Sequence, residues 1–367
     1  MDIAEVYMVR CLELAGHGRG NVSPNPMVGA VIVCDGRIIG EGYHHCYGEA
    51  HAEVNAIASV KDEYLLRQST LYVNLEPCSH YGKTPPCAGL IIAKRIPRVV
   101  IACMDPYPEV AGRGIRMLRE AGVEVVTGIM ENEAAMLNRY FMSAHKKRRP
   151  YIILKWAQSK DGFIDRVRKD VSEKPVMIST PMTRMMVHKL RSEVQAIMVG
   201  TNTAVLDNPS LSVRYWRGKS PARVLVDRSM RIPGGHHLLD ETQHTIVFSQ
   251  QIPGGIRPKF SDKMNIEYVE MDSSIHFLIN IIKSLYDKNI HSLLVEGGAQ
   301  LHRSFIEEGL WDEIIVETAP LFLRNGVKSA VFQDIVDLRL HKKCLVPKFS
   351  SAGETPSVIE HYINCTV

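Results

Sequence analysis

His51, Cys78 and Cys87 are residues of the types that hold a borderline metal ion, and Glu53 follows closely after the first of them. One imidazole nitrogen and two thiolates suit Zn²⁺, and three protein ligands leave the fourth tetrahedral position open to a water. That is the ligand count of a catalytic centre; a structural one closes with a fourth side chain. A carboxylate beside such a water can take a proton from it and deliver it elsewhere. The expected chemistry is hydrolytic, with about one Zn²⁺ per chain on His51, Cys78 and Cys87 and with Glu53 as acid and base. A structural zinc knot, or a chance set of buried residues, would leave Glu53 without a task. His44, His45, Cys46 and His80 compete as ligands by nearness in sequence and rank below these three.

The order His-x-Glu, then Pro-Cys and a second Cys, is the signature of the zinc deaminases of nucleobases, in which the Glu is the acid/base. Their usual Pro-Cys-x-x-Cys is absent. Here Ser79-His80-Tyr81-Gly82-Lys83-Thr84-Pro85-Pro86 separates Cys78 from Cys87. The run Glu76 to Cys87, with Ser23-Pro24-Asn25-Pro26-Met27-Val28-Gly29-Ala30 upstream, closely resembles the deaminase half of the bifunctional riboflavin-biosynthesis deaminase/reductases. The resemblance implies a free phosphoribosylated pyrimidine as substrate, and Asn25 as a substrate-binding residue whose amide can donate and accept at a pyrimidine edge. Read alone, Asn25 between two prolines suits an Asx turn. Asp105-Pro106-Tyr107-Pro108 with Ala111-Gly112-Arg113-Gly114 also looks like that family, in which this loop borders the active site. Tyr107 stands where the family usually has Asn.

The elements that must position these residues alternate in type. Residues 2 to 16 space their apolar side chains as a helix closed by Gly16. Val28 to Val33 and Arg37 to Gly42 form a hairpin through Asp35-Gly36. Glu49 to Ser59 reads as a helix with His51 and Glu53 near its start, and Thr70 to Leu75 as a short buried strand ended by Pro77. Cys78 then faces the start of a helix at Cys87 to Ala93, whose dipole favours a thiolate. Val99 to Met104, a helix from Ile115 to Glu120, Val123 to Val126 and a helix from Glu131 to Ala144 complete an α/β sandwich. The basic run His145 to Arg149 before Pro150 lacks interleaved aromatics and reads as a solvated boundary, not a nucleic-acid patch.

From Tyr151 the pattern restarts. Tyr151 to Ala157 is a strand followed by a turn at Gln158 to Gly162; a helix runs from Pro181 to Arg191, and Ala196 to Thr201, Ala222 to Asp227 and Thr245 to Phe248 are strands. Leu293-Leu294-Val295-Glu296-Gly297-Gly298-Ala299 is a strand breaking into glycines before a helix at Gln300 to Glu308. Bare backbone N–H groups and a helix dipole there make a phosphate cradle. The pattern is not a dinucleotide G-x-G-x-x-G, so a plain tight turn stays open on the residues alone.

The second half resembles the reductase half of the same family, whose fold is like that of dihydrofolate reductase. The resemblance implies NADPH as cofactor, and Lys155, Ala157 and the Ser159-x-Asp161-Gly162 turn as site-lining residues. It places Arg191 and Arg214 on the substrate phosphate through guanidinium forks, with Leu211 and Glu296 as further substrate contacts. Thr203, Asp207 and Ser229 match cofactor positions, as do Gly298, Ala299, Gln300, Leu301, His302, Arg303 and Ser304. Lys155 and Asp207 are the candidate catalytic groups. Met177 falls at a cofactor position where the family commonly reads Ser-x-Trp-Ile and this chain Pro175-Val176-Met177-Ile178. The expected fold class is therefore α/β, a zinc cytidine-deaminase-like three-layer sandwich over residues 1–145 and a dihydrofolate-reductase-like α/β domain over residues 146–367.

Composition agrees with this reading. The 367 residues suit two domains, and a hydrophobic fraction of 45% fills two cores. A net charge of +4 argues for neither a nucleic-acid binder nor a membrane-surface protein. No apolar run reaches the roughly 18 residues of a membrane span, and Met1-Asp2-Ile3-Ala4-Glu5 has no signal-peptide character, so a cytoplasmic protein is expected. Cys11, Cys34, Cys46, Cys103, Cys344 and Cys365 show no framework spacing and read as reduced thiols. A homo-oligomer, dimer or tetramer, is expected. The rival readings are a cytidine- or tRNA-type deaminase fused to a regulatory domain, and a binding protein that keeps both folds without turnover; the long loop between the cysteines opposes the first and Glu53 the second.

Overall fold

The helix α1 (Ile3–Gly16) begins on Asp2, whose carboxylate caps the first turn while Glu5 reaches back to the Asp2 N–H at 2.9 Å, a capping box. Gly16 is the last helical residue, and the cap falls on His17 in right-handed conformation, so the expected glycine cap is displaced by one residue. In this computed structural model residues 2–79, 86–107, 111–250, 265–271, 276–332, 335, 338–346 and 356–364 are described. His80, Pro85, Pro108 and Cys365 lie outside them. The chain divides into two units, Met1–Arg149 and Pro150–Val367.

In the first unit β1 (Gly29–Cys34) and β2 (Arg37–Tyr43) pair antiparallel through Asp35-Gly36, whose φ values of 49° and 72° match the twist of a tight hairpin. The helix α2 (Ala52–Ala58) lies directly on β2. A side chain at Gly42 would place its Cβ 2.3 Å from the Ala56 nitrogen and 2.7 Å from the Ala52 oxygen, so only glycine permits this seat. There follow β3 (Thr70–Leu75), α3 (Cys87–Ala93), β4 (Arg98–Cys103), α4 (Arg113–Glu120) and β5 (Glu124–Thr127). The sheet order is β2-β1-β3-β4-β5, with β3, β4 and β5 parallel. One face packs Ile32, Val73 and Ile101 against Ala56, Ile91 and Leu118 of α2, α3 and α4; the other packs Val31, Tyr72 and Val100 against Met8 and Cys11 of α1. These are the three layers of the expected sandwich.

The single helix expected over 131–144 is two, α5 (Glu131–Leu137) and α6 (Arg139–Lys147). The break falls at Asn138, whose amide accepts from the Met27 N–H at 2.8 Å and donates to the Met27 carbonyl at 2.9 Å. A side chain that prefers such backbone partners competes with helix continuation.

The second unit contains β6 (Tyr151–Ser159), β7 (Phe163–Asp165), α7 (Pro181–Glu193), β8 (Ala196–Gly200), α8 (Thr201–Asp207), β9 (Ala222–Val226), β10 (Thr245–Ser249), β11 (Ile266–Glu270), α9 (Phe277–Asp287), β12 (Ser292–Val295), α10 (Ala299–Glu307), β13 (Glu313–Ala319), β14 (Val327–Lys328), β15 (Leu338–Val346) and β16 (Ser357–Asn364). Its main sheet runs β11-β10-β9-β8-β12-β6-β13-β16-β15, parallel from β11 to β13 and antiparallel at β16 and β15. Ile152, Leu154, Met198, Leu293 and Val295 are buried at its centre, as parallel strands covered on both faces require. Among the described residues no helix is long and apolar enough to cross a membrane.

Gly42→Ala is expected to cost about 1–3 kcal/mol of stability through overpacking at the α2 seat, read as a lower urea midpoint, with zinc affinity falling alongside because α2 carries His51.

Candidate active sites

Three element ends meet at the metal-ligating residues. His51 is the N-cap of α2, Cys78 follows Pro77 beyond β3, and Cys87 is the first residue of α3. His51 Nδ1 lies 3.6 Å from Cys78 Sγ and 3.4 Å from Cys87 Sγ, and the Cys87 N–H donates to Cys78 Sγ at 3.3 Å. The three ligand atoms all fall within 4.8 Å of one another. The Cys87 thiol and the His51 ring bring Cys78 down to about 4 against the opposing effect of burial, while Cys87 is pushed up. His51 is raised, chiefly by its bond to Cys78. A convergent imidazole and two thiols are donors that fit Zn²⁺.

Glu53 is 3% exposed, in the first turn of α2, and pushed up to about 7 by burial first and the Cys78 charge second. A carboxyl poised near neutrality can both take and give a proton. The competing ligands have other partners. His44 bonds the Ala50 carbonyl through Nδ1 at 3.0 Å and Asn25 Nδ2 through Nε2 at 3.2 Å, and its ring packs edge-on against His51 at 5.5 Å. His45 stacks on Tyr43 at 4.1 Å, and Cys46 is outside the cluster. Asn25 thus presents its amide nitrogen to His44, while the Met27 N–H that an Asx turn at Asn25 would use goes to Asn138 Oδ1 at 2.8 Å, which disfavours the Asx-turn reading.

Glu76 had no role in the sequence reading beyond its place in the motif. It is 5% exposed, and its carboxylate accepts from the N–H groups of Asp105 (3.2 Å), Gly112 (3.0 Å), Gly114 (2.9 Å) and Ile115 (3.3 Å). It therefore ties the loop entering α4 to the strand end that carries Cys78. The positive end of the α4 dipole also meets its charge.

In the second unit a cavity of about 840 Å³ opens where the C-terminal ends of β6, β8, β9 and β12 converge, the usual ligand crevice of a parallel sheet. Lys155, Ala157, Thr203, Asp207, Ser229, Glu296, Gly298, Ala299, Gln300, Leu301, His302 and Ser304 line it. Gly298 has φ +76°, a left-handed conformation that a side chain would strain, and stands at the N-terminus of α10 beside Thr203. Exposed backbone and a helix dipole fit a pyrophosphate.

Other expected residues are placed differently. Both carboxylate oxygens of Glu296 hold Arg191, from Nε at 2.8 Å and from Nη2 at 2.6 Å, and Arg191 Nη1 donates to the Ser212 carbonyl at 3.1 Å. Its fork is spent on Glu296, so Arg191 orients that carboxylate instead of offering a free phosphate clamp. Arg214 donates to Ser210 and Ser212, outside the cavity lining; Leu211 is buried with φ +51°; Arg303 is also outside the lining. Met177 is 66% exposed and does not line the cavity either. The Ser159-x-Asp161-Gly162 turn is structural. Ser159 donates to Asp161 at 2.6 Å, and Asp161 accepts from the Leu323 and Arg324 N–H groups, bonds that hold it down to about 2. His302 donates to the Val295 carbonyl at 3.0 Å and is pushed down to about 4 by burial, so it contacts the cavity as a neutral ring. Arg168 was not singled out by sequence. It lines the cavity and pairs with both Asp165 and Asp207, although burial still raises Asp207.

Fold and sites together define a zinc-type nucleobase deaminase followed by a dihydrofolate-reductase-like α/β unit. The model of the cytidine and deoxycytidylate deaminase zinc-binding region matches residues 1–103, and that of the RibD C-terminal domain residues 150–345. The chain is 39% identical over 329 residues to the riboflavin biosynthesis protein RibD of Aquifex aeolicus, covering 89% of each, and 39% identical over 341 residues to that of Bacillus amyloliquefaciens, covering 91% of this chain and 90% of that one. It superposes with a TM-score of 0.84 on the crystal structure of a diaminohydroxyphosphoribosylaminopyrimidine deaminase/5-amino-6-(5-phosphoribosylamino)uracil reductase from Thermotoga maritima, at 33% identity and 99% coverage of both chains. The chain belongs to the RibD family of bifunctional deaminase/reductases of riboflavin biosynthesis.

Glu76→Ala strands four backbone donors and is expected to destabilise the protein by about 2 kcal/mol or more, measured by urea denaturation. Glu76→Gln, which keeps an acceptor, is expected to lose less.

Proposed function

We propose that the first unit deaminates 2,5-diamino-6-(5-phosphoribosylamino)pyrimidin-4-one and that the second reduces the ribosyl side chain of the product to ribityl with NADPH. The convergence of His51, Cys78 and Cys87 beside buried Glu53 is the observation that carries this reading. A zinc ion on those three ligands supplies Lewis-acid activation of a water. Glu53 holds the proton taken from that water and returns it to the departing ammonia; a pKa brought up to about 7 lets one carboxyl do both. Asn25, fixed by His44, reads the pyrimidine edge.

In the second unit NADPH, when bound along Thr203, Ser229 and the Gly298–Ser304 segment, supplies a hydride. Lys155 gives its proton to the ribosyl ring oxygen as the C1–O bond opens and the exocyclic nitrogen forms the C1=N bond that accepts the hydride at C1. Arg191 fixes Glu296 against the substrate, Arg214 is assigned to the phosphate and Leu211 to the substrate wall, and Asp207, held by Arg168, orients a ribose hydroxyl. We assign residues 1–145 to the deaminase and 146–367 to the reductase. A cytoplasmic location suits a phosphorylated substrate and NADPH, and the exposed Phe322, Val331, Leu340 and Leu345 offer apolar surface for a dimer or tetramer.

Wild type is expected to hold about one zinc per chain, to release ammonia and to oxidise NADPH. Glu53→Ala keeps its zinc and oxidises NADPH only when given deaminated substrate; ammonia release at the wild-type rate would remove Glu53 from the reaction. Lys155→Ala is expected to lower reductase kcat by about 10²-fold or more with deamination intact, and unchanged NADPH oxidation would exclude Lys155.

A further inference from the structure

Glu317 is a buried carboxylate of the second unit with no task in the reading above. It is 1% exposed on β13, Ser179 Oγ donates to its Oε2 at 2.5 Å, and its Oε1 has no hydrogen-bond partner among the described residues. A buried oxygen left alone is costly and needs a reason. Strand register supplies its surroundings. In the parallel pair of β6 and β13, Lys155 lies opposite Ile315 and Ala157 opposite Glu317. Alternate residues of a strand share a face, so Glu317 stands on the face of Lys155 and Ala157, both of which line the cavity. On the other side of β6, Val295 of β12 lies opposite Leu154, which brings Glu296 beside Lys155. Lys155, in the middle of β6, is therefore flanked by two carboxylates, Glu317 within β13 on one side and Glu296 just beyond β12 on the other.

The two carboxylates differ. Glu296 spends both oxygens on Arg191, so its charge is largely answered within the protein. Among the described residues Glu317 has only the Ser179 hydroxyl. Lys155 itself has no ion-pair partner within 4.0 Å among the described residues. Burial lowers Lys155 below its ordinary value, the charges of Glu296 and Glu317 oppose that, and Arg191 adds to it. His302 on α10 faces the same amine as a neutral ring.

Resting on the reductase reading of this cavity, we propose that Glu317 is a positioning residue whose carboxylate keeps Lys155 an ammonium, ready to give its proton to the ribosyl ring oxygen. Without that counter-charge the buried amine is left with Arg191 and the Arg191-paired Glu296, and its hold on the proton weakens.

Competitive labelling with acetic anhydride on the full chain, read by peptide mass spectrometry, measures the free-amine fraction of Lys155 at each pH without turnover. In Glu317→Gln with a cooperative thermal melt, the titration of Lys155 moves down by about one pH unit, a roughly tenfold gain in labelling at a fixed pH. The alkaline limb of kcat/KM for NADPH oxidation on deaminated substrate moves with it, and Glu317→Asp restores both. An unmoved titration in folded Glu317→Gln overturns the proposal, whatever its turnover. So does a wild-type Lys155 that is already a free amine at neutral pH, a measurement that needs no variant to fold. A downward shift in labelling together with a wild type unable to oxidise NADPH would sink the reductase reading and leave the pairing of Glu317 with Lys155 standing.

Discussion

The carboxylate of Glu76, taken out of water at the end of β3, has to be met by donors, and the chain meets it with four backbone N–H groups from the segment that enters α4. Burying that charge unpaired would cost far more than any single contact in the unit returns. The need to satisfy it fixes where Asp105 and Gly112 sit, where α4 begins and how β3 is held just before Pro77 and Cys78. The metal centre inherits that rigidity. Two of its three ligands stand at helix starts, and the α2 seat on Gly42 fixes the one that carries His51.

The second unit applies the same constraint with different donors. Glu296, at the end of β12, is held by a guanidinium where Glu76 is held by peptide groups. The Arg191–Glu296 pair thus meets its charges within the protein, beside Lys155 and the Arg168–Asp207 pair of the same cavity. A fork-on-carboxylate pair is planar and directional, so Glu296 presents a fixed edge to whatever the cavity holds. Sequence reasoning placed Arg191 and Glu296 in one site and missed that they are each other's partner.

Legibility followed locality. His51, Glu53, Cys78 and Cys87 could be read because rare residue types at short spacing mean little else, and the hairpin at Asp35-Gly36 because its turn chemistry is local. The partners of Glu76 lie 29 to 39 residues away and carry no side-chain signature, since the donors are backbone. Arg191 and Glu296 are 105 residues apart. Asn138 looked like an ordinary helical residue because its clamp on Met27 spans 111 positions. The strands β15 and β16 hid for another reason: β15 is an exposed, charged edge, and β16 lies in a C-terminal stretch that is uninformative by itself until its pairing with β13 is seen.

That pairing bears on how the protein is made. β16, residues 357–364, does not extend the sheet at its rim; it is inserted between β13 and β15, and its Asn364 bonds the Asp312 carbonyl at the start of β13. On the ribosome the first unit, whose strands pair with near neighbours in sequence, can complete its sheet while the rest is still being synthesised. The second unit has to wait. Until residues 357–364 emerge, one long side of β13 stays an open strand edge, with the exposure to wrong partners that open edges carry. The finished first unit thus travels for a time tethered to an unfinished neighbour, and the order of translation matches the order in which the two reactions are used.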